Sequence, residues 1–425
     1  MTEKKIKVLT ISDHPLSPSG VGTQTKYIIE ALLNTGKFEI FSLAGAIKHN
    51  NYEAMKVEPY GDDWIVQPID GYGNEEAIRS LIRTQKPDIL WFMTDPRFWE
   101  WLWSMENEIR PLVPMVYYHV WDNYPPPKYN KKFYDSNDFV ACISKVTHDI
   151  VTQTTSDVEA CYIPHAVDPK IFRPLNETGD EDIRKEQREK YFGSDDKFVI
   201  MWNNRNAKRK QTGSLINWYN SFLKQLDKKD ADKCVLLLHT DPQDPYGQDI
   251  NTILKDFELD KGQVLLSKEK VPPHNLASMY NISDVTVNVS DAEGFGLGTL
   301  ESLSCGTPII VTMTGGLQEQ VTDGNEWFGI GIEPCSKSLI GSQQVPYIYE
   351  DRISEEDFVA ALNEMFKLGR EGRKELGQKG REHVLKNYNF ENFNKTWIET
   401  MTNIHEKHGS WETRKNYKPW SVTEI

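Results

Sequence analysis

The sequence predicts an α/β protein made of two successive units, each alternating short apolar strands with amphipathic helices. Three observations carry this. First, β-rich runs recur at 6–11, 38–43, 89–93, 115–118, 139–143 and 162–164, then again at 198–202, 234–239, 264–266, 285–289 and 309–311. Second, helical periodicity fills the intervals. Thr25, Ile28, Ile29, Leu32 and Leu33 follow the i, i+3, i+4, i+7, i+8 pattern, and Phe358, Ala361, Leu362 and Met365 share one face. Third, the highly charged stretch 176–190, N-E-T-G-D-E-D-I-R-K-E-Q-R-E-K, separates the two series. Strands alternating with helices imply a parallel sheet covered on both faces. The boundary is placed at 175/176, giving domains 1–175 and 176–391. The tail 392–425 holds a helical part (Phe393, Trp397, Met401) and an aromatic end (Trp411, Tyr417, Trp420).

In chain order, the first strand runs into S-D-H-P-L-S-P-S-G-V-G-T, which places Gly20 and Gly22 at its carboxyl end, where open α/β sheets bind ligands. The loop lacks the G-x-G-x-x-G spacing of a dinucleotide fingerprint. His119 follows the 115–118 run inside Y-Y-H-V-W-D-N-Y-P-P-P. The aromatic stretches around it and at 91–103 can equally be core or stacking surfaces. In the second half, 198–202 ends in N-N-R-N-A-K-R-K-Q. A basic turn at a strand end, in an otherwise acidic chain, suits phosphate, with Arg205 and Lys210 foremost. The 285–289 strand leads into D-A-E-G-F-G-L-G-T-L-E, where Gly294, Gly296 and Gly298 lie between Glu293 and Glu301. Glycines let backbone approach a ligand, and a helix opening after them offers unpaired N–H groups to an anion. Phosphate does not need the two carboxylates, so they are read as partners of hydroxyl groups on either side of it. That combination describes a nucleotide-sugar. The segment 333–348 resists assignment.

Composition narrows the classes. Charged residues are 26% and hydrophobic ones 38%, ordinary for a globular protein, and 425 residues suffice for two or three domains. A formal net charge of −14 argues against a broad footprint on nucleic acid or an anionic membrane. The five cysteines are dispersed without C-x-x-C, and Cys142, Cys234 and Cys305 read as buried thiols. A reducing, cytoplasmic setting is expected. No apolar run reaches ~18 residues, so no transmembrane segment is expected.

The basic strand end, the E-G-F-G-L-G-T-L-E loop and the following G-T-P-I-I-V-T-M-T-G-G together resemble the retaining, metal-independent family-4 glycosyltransferases of GT-B architecture. The two glutamates carry that family's E-x7-E spacing. The resemblance is strongest over 198–321. It implies two Rossmann-like domains facing across a cleft, with the C-terminal helix crossing back to the first. It implies a nucleotide-diphosphate-sugar donor, UDP- or GDP-linked, and no metal or other cofactor. Arg205 and Lys210 would contact the diphosphate, Arg205 being the firmer correspondence. Glu293 would hold sugar hydroxyls, the amides of Gly294, Phe295, Gly296 and Leu297 would line the sugar and phosphate, and Thr299 would contact the donor. Glu301, in the first helical turn, would bind the ribose. Gly20 and Gly22 would approach the diphosphate, and His119 would sit at the sugar's reacting face as a catalytic residue alongside Arg205, Lys210 and Glu293. A saccharide acceptor is favoured over a modified nucleobase or a lipid. The alternatives are another GT-B enzyme, a phosphorylase or epimerase, or a non-catalytic sugar-nucleotide-binding protein.

Overall fold

The computed structural model describes residues 4–175, 179 and 181–417. The chain divides into two compact units, Met1–Ala166 with Glu391–Ile425, and Val167–Phe390. Trp420 and part of the charged 176–190 stretch lie outside the described residues.

The first unit contains β1 (Ile6–Asp13), β2 (Phe38–Gly45), β3 (Met55–Val57), β4 (Gly61–Pro68), β5 (Ile89–Met93), β6 (Met115–His119), β7 (Phe139–Cys142) and β8 (Glu159–Tyr162). Among the described residues these form one sheet in the order β3-β4-β2-β1-β5-β6-β7-β8. All neighbours are parallel except β3 and β4. The runs are continuous rather than alternating because both faces are covered. In β5 all of I-L-W-F-M is buried. The β3–β4 hairpin escapes the sequence reading, although the half-buried alternation that places Trp64 and Val66 inward is visible in it. The last strand lies slightly earlier than its expected position at 162–164, ending at Tyr162.

The aromatic stretches turn out to be mainly core. Trp91, Phe92, Trp99, Trp103, Tyr117 and Tyr118 are buried, while Phe98 is 48% exposed. Helix Phe390–His408 packs on this unit, as the family resemblance implies. Its Phe393, Trp397 and Met401 are buried, and the Trp397 ring lies 6.1 Å from Trp91 and 4.9 Å from Tyr118.

The second unit contains β9 (Phe198–Asn203), β10 (Cys234–His239), β11 (Val264–Ser267), β12 (Val285–Asn288), β13 (Ile309–Thr312) and β14 (Gly329–Ile332). Its sheet is parallel throughout, in the order β11-β10-β9-β12-β13-β14. One core joins Ile200 and Trp202 of β9 to Phe358, Leu362 and Met365 of helix Glu355–Lys367. The unassigned 333–348 segment belongs to an antiparallel hairpin, β15 (Ser336–Ile340) with β16 (Ile348–Arg352). Its strands are polar and only partly buried, so they lack the apolar run that marks the other strands.

Each sheet reverses its winding once, between β1 and β5 and between β9 and β12. At such a point the connections leave in opposite directions and open a crevice beyond the carboxyl ends of the strands. In the second unit, those ends are Asn203 and Asn288.

Candidate functional site

The basic turn leaves β9 and the glutamate loop leaves β12, so adjacent strands at the reversal bring the two motifs together. They are joined by backbone and side chain alike. Asp291 N–H donates to the Arg209 carbonyl at 2.8 Å, and the Arg209 guanidinium donates to the Ala292 carbonyl. The Lys210 ammonium donates to Glu293 Oε2, which also accepts from Asn288 Nδ2 at 3.3 Å. Lys210 is buried. Burial opposes the charge of Glu293, but Lys210 and then Arg209 hold its carboxyl below the usual range.

The loop that follows is held open by its neighbours. Gly296 adopts φ 90° and caps helix Leu297–Ser304, which has no side-chain cap. Gly315, at φ 48°, packs so closely that a Cβ there would lie 1.8 Å from the Glu293 carbonyl oxygen. Gly316 N–H donates to that same carbonyl at 3.0 Å. The T-G-G turn after β13 is therefore the bed on which Glu293 to Phe295 lie. Gln320 Nε2 donates to the Phe295 carbonyl at 2.6 Å, and Thr299 Oγ1 lies 2.8 Å from the Gly296 carbonyl and 2.7 Å from Gln320 Oε1. Phe295 is buried with its ring 5.9 Å from that of Tyr388. One expected donor contact, Thr299, is thus corrected: its hydroxyl is turned inward to hold the loop. The Phe295 ring is turned inward too, while the part of Phe295 expected at the donor is its backbone amide.

Glu301 lies one turn deeper than expected, as the fifth residue of its helix. Its Oε2 accepts from the Tyr280 hydroxyl at 2.9 Å, and the Tyr280 oxygen in turn accepts from Asn203 Nδ2 at 2.7 Å. Burial raises its carboxyl to about 7 against the smaller opposing effect of Tyr280. Asn203 and Tyr280 were not singled out from the sequence. The available signal was that Asn203 ends one of the two strands flanking the reversal.

Arg205 stands apart from this group. Its guanidinium grips Asp244, with Nε 2.5 Å from Oδ2 and Nη2 3.2 Å from Oδ1, and lies 4.9 Å over the Tyr246 ring. Its side chain is 61% exposed. Of the two basic residues, Lys210 is the one held at the glutamate loop.

In the first unit, the expectation for His119 is corrected. Helix Gly20–Leu33 is capped by Ser19, whose Oγ accepts from Gly22 N–H at 3.0 Å and donates to Asp13 Oδ2 at 2.7 Å. The Ser19 hydroxyl thus takes the Gly22 N–H, which is not open to a ligand as it stands. Gly22 is buried, and a Cβ there would meet the His14 carbonyl at 2.6 Å. His119 ends β6 as expected, but it is fully buried. Nδ1 pairs with the Tyr117 hydroxyl at 3.0 Å and Nε2 with the Tyr134 hydroxyl at 2.8 Å. Burial pushes it down to about 3. Both ring nitrogens are spent inside the unit, which removes the expected catalytic role.

Among the described residues no group of three His, Cys, Asp or Glu is arranged to hold a metal ion, and no helix is long and apolar enough to cross a membrane.

Comparison with known proteins bears on this geometry. A 53-residue stretch is 51% identical to D-inositol 3-phosphate glycosyltransferase of Streptosporangium roseum, covering 12% of each chain. A longer stretch of 193 residues is 25% identical to N-acetyl-alpha-D-glucosaminyl L-malate synthase of Bacillus anthracis, covering 43% of this chain and 44% of that one. The chain thus spans about an eighth of the length of the first curated relatives it matches. Among solved structures, sucrose-phosphate synthase of Thermosynechococcus elongatus superposes with a TM-score of 0.74 at 16% identity, over 95% of this chain and 100% of that one. Anabaena Alr3699/HepE, in complex with UDP and glucose, gives 0.69 at 14% identity, over 94% and 100%. Residues 183–383, which fall within the second unit, match the family model for glycosyl transferases group 1, and the chain has the two-domain, Rossmann-like fold of the GT-B glycosyltransferases.

Proposed function

We propose that the protein is a retaining, metal-independent glycosyltransferase of the family-4 type, moving a sugar from a nucleotide-diphosphate donor to a saccharide or polyol acceptor. The observation that carries this is the convergence at one strand reversal of Lys210, Glu293, a helix N-terminus with no side-chain cap and Glu301. The diphosphate would take the N–H groups that open helix Leu297–Ser304, together with Lys210, whose ammonium has three hydrogens and can serve Glu293 and a phosphate oxygen together. Glu293 would accept from sugar hydroxyls. Glu301 would accept from the ribose.

The reaction breaks the bond between the anomeric carbon and the phosphate oxygen, and its electron pair leaves on the diphosphate. An acceptor hydroxyl forms the new bond from the same face, and its proton passes to a phosphate oxygen. Lys210 and the helix amides stabilise the charge that grows on the leaving group, which makes protein cations the source of neutralisation. A UDP-linked donor is supported by the structural neighbour in complex with UDP and glucose. A polyol or sugar acceptor is supported by the names of relatives such as D-inositol 3-phosphate glycosyltransferase.

The test is a panel of UDP- and GDP-sugars, reading nucleotide release without acceptor and then with candidate acceptors. Slow release from one donor, accelerated by an acceptor with retained anomeric configuration, is the expected result. Binding without release would mean a non-catalytic sugar-nucleotide binder, and no binding to any donor would overturn the reading altogether.

The Glu301 carboxyl adds a pH signature. Only its ionised form accepts from two hydroxyls, and that form prevails above about 7. Donor affinity should rise roughly tenfold from pH 6 to pH 8, and Glu301→Gln should flatten the profile. A wild-type profile already flat across that range would contradict the ribose role.

A further inference from the structure

Strand β12 reads V-T-V-N and is buried throughout, so Asn288 is an amide closing a mainly apolar run. It is only 3% exposed, and Ser290, two residues on, is completely buried. A buried amide is costly unless its polar atoms are met. Here they are met by Ser290 and Glu293. Asn288 Oδ1 accepts from Ser290 N–H at 3.2 Å and from the Ser290 hydroxyl. Its Nδ2 donates to Glu293 Oε2 at 3.3 Å.

Chemistry fixes the direction of this amide. A backbone N–H can only donate, so the atom facing Ser290 N–H is the amide oxygen, and the NH2 group is left facing Glu293. The Lys210 ammonium meets the same carboxylate from the basic turn, and its bond also falls on Oε2. Two hydrogen-bond donors thus converge on one oxygen. Oε1 is the oxygen that neither of them takes, and the side chain keeps 13% exposure. Burial opposes the charge of Glu293, while Lys210, Arg209 and, last, Asn288 favour it. The next carboxylate along the loop, Asp291, is engaged elsewhere, by Arg352 and by Gln211 Nε2 at 2.7 Å.

We propose that Asn288 is a positioning residue for sugar transfer: with Lys210 it pins Glu293 Oε2, so that Oε1 is the atom presented to the hydroxyl groups of the sugar. This rests on the reading of Glu293 as the sugar's partner, and adds which oxygen serves and what holds it. A carboxylate held in its bound orientation has less freedom to lose when the sugar arrives. Lys210 does not suffice for this. Its ammonium is a rotatable point charge on a flexible stem, and in the same reading it is shared with the diphosphate. The Asn288 amide is planar and is gripped at its far end by Ser290, so it sets direction as well as distance.

Two variants separate this role from the turn that Asn288 Oδ1 makes with Ser290. Asn288→Ser and Asn288→Asp each keep an oxygen for Ser290 N–H, and each removes the amide that faces Glu293. Calorimetric Kd is measured for UDP-glucose and UDP, with GDP-mannose and GDP as a second pair, always against wild type at the same pH. Asn288→Ser should weaken the sugar nucleotide about tenfold and the bare nucleotide less than about twofold. Asn288→Asp should respond to pH. Its carboxyl, set against that of Glu293, holds its proton more tightly than usual, and the protonated form donates to Oε2 as the amide does. Once that proton is lost, two carboxylates oppose each other. The sugar-dependent loss should therefore stay within about threefold at pH 5 and exceed about tenfold at pH 8. Glu301 titrates over the same range but serves both ligands of a pair, so it cancels in the ratio. Wild-type protein that binds neither pair would overturn the nucleotide-sugar reading and this proposal with it. Wild-type binding of either pair, with variants that lose nothing, lose both ligands equally, or show a pH-independent loss in Asn288→Asp, would overturn the role of Asn288 alone.

Discussion

Lys210→Gln is expected to lower turnover by roughly 10²–10³-fold, the usual cost of removing one donor aimed at developing charge. Lys210 is buried at the glutamate loop, and its ammonium is bonded to Glu293, so its position is set before any substrate arrives. Preorganisation of this kind makes a charged donor effective, because nothing need reorient as the leaving group departs. The variant also leaves Glu293 without the cation that offsets its burial, so donor KM should rise along with the fall in kcat. Arg205→Gln provides the contrast. An exposed guanidinium already occupied by Asp244 contributes the little that surface pairs usually do, and the expected loss is at most about fivefold. Steady-state kinetics of both variants, with unfolding curves to confirm the fold, decides the matter. Equal losses would mean that Arg205 leaves Asp244 to join the diphosphate and that the arrangement around Lys210 is not the operative one.

The relation between these two residues shows where the sequence was legible. Strand runs such as Ile89–Met93 and Cys234–His239 stand out because both faces of a parallel sheet are buried and every position must be apolar. The meeting of the basic turn with the glutamate loop follows from the same logic, since each motif ends a strand. What a side chain does after leaving the strand end depends on partners distant in sequence. Asp244 lies 39 residues beyond Arg205 and diverts it. Tyr134 closes over His119 from 15 residues away. In each case local composition advertised a ligand site, and a polar group from elsewhere in the same unit had filled it. The hairpin Ser336–Arg352 was hidden for the opposite reason. It buries too little apolar surface to leave a periodic trace, and its clearest anchor is the Arg352–Asp291 ion pair beside the glutamate loop.

Trp397→Ala should give the largest loss of stability, about 3–5 kcal/mol. The side chain is completely buried, wedged edge-on against Trp91 of β5 and Tyr118 of β6. Because the helix Phe390–His408 follows the whole second unit in sequence, its contacts with β5 and β6 span some of the longest separations in the chain. Removing the indole leaves a cavity between helix and sheet that rigid β-strand backbone cannot collapse to fill. Two further links survive the substitution and hold the segment in place. Ser410 Oγ donates to Asp88 Oδ1 at 2.6 Å, and Arg414 Nη2 donates to Asp138 Oδ1 at 2.7 Å. The segment should therefore stay docked at low temperature and the first unit should melt early, giving two separated transitions by calorimetry where the wild type shows closer ones. Trp397→Phe, which keeps most of the buried ring, should recover more than half of the loss. Its indole Nε1 has no hydrogen-bond partner, so the phenyl ring forfeits packing and no polar contact. A Trp397→Ala protein that melts like the wild type would mean that the helix is held by the Asp88 and Asp138 links and that the aromatic wedge contributes little.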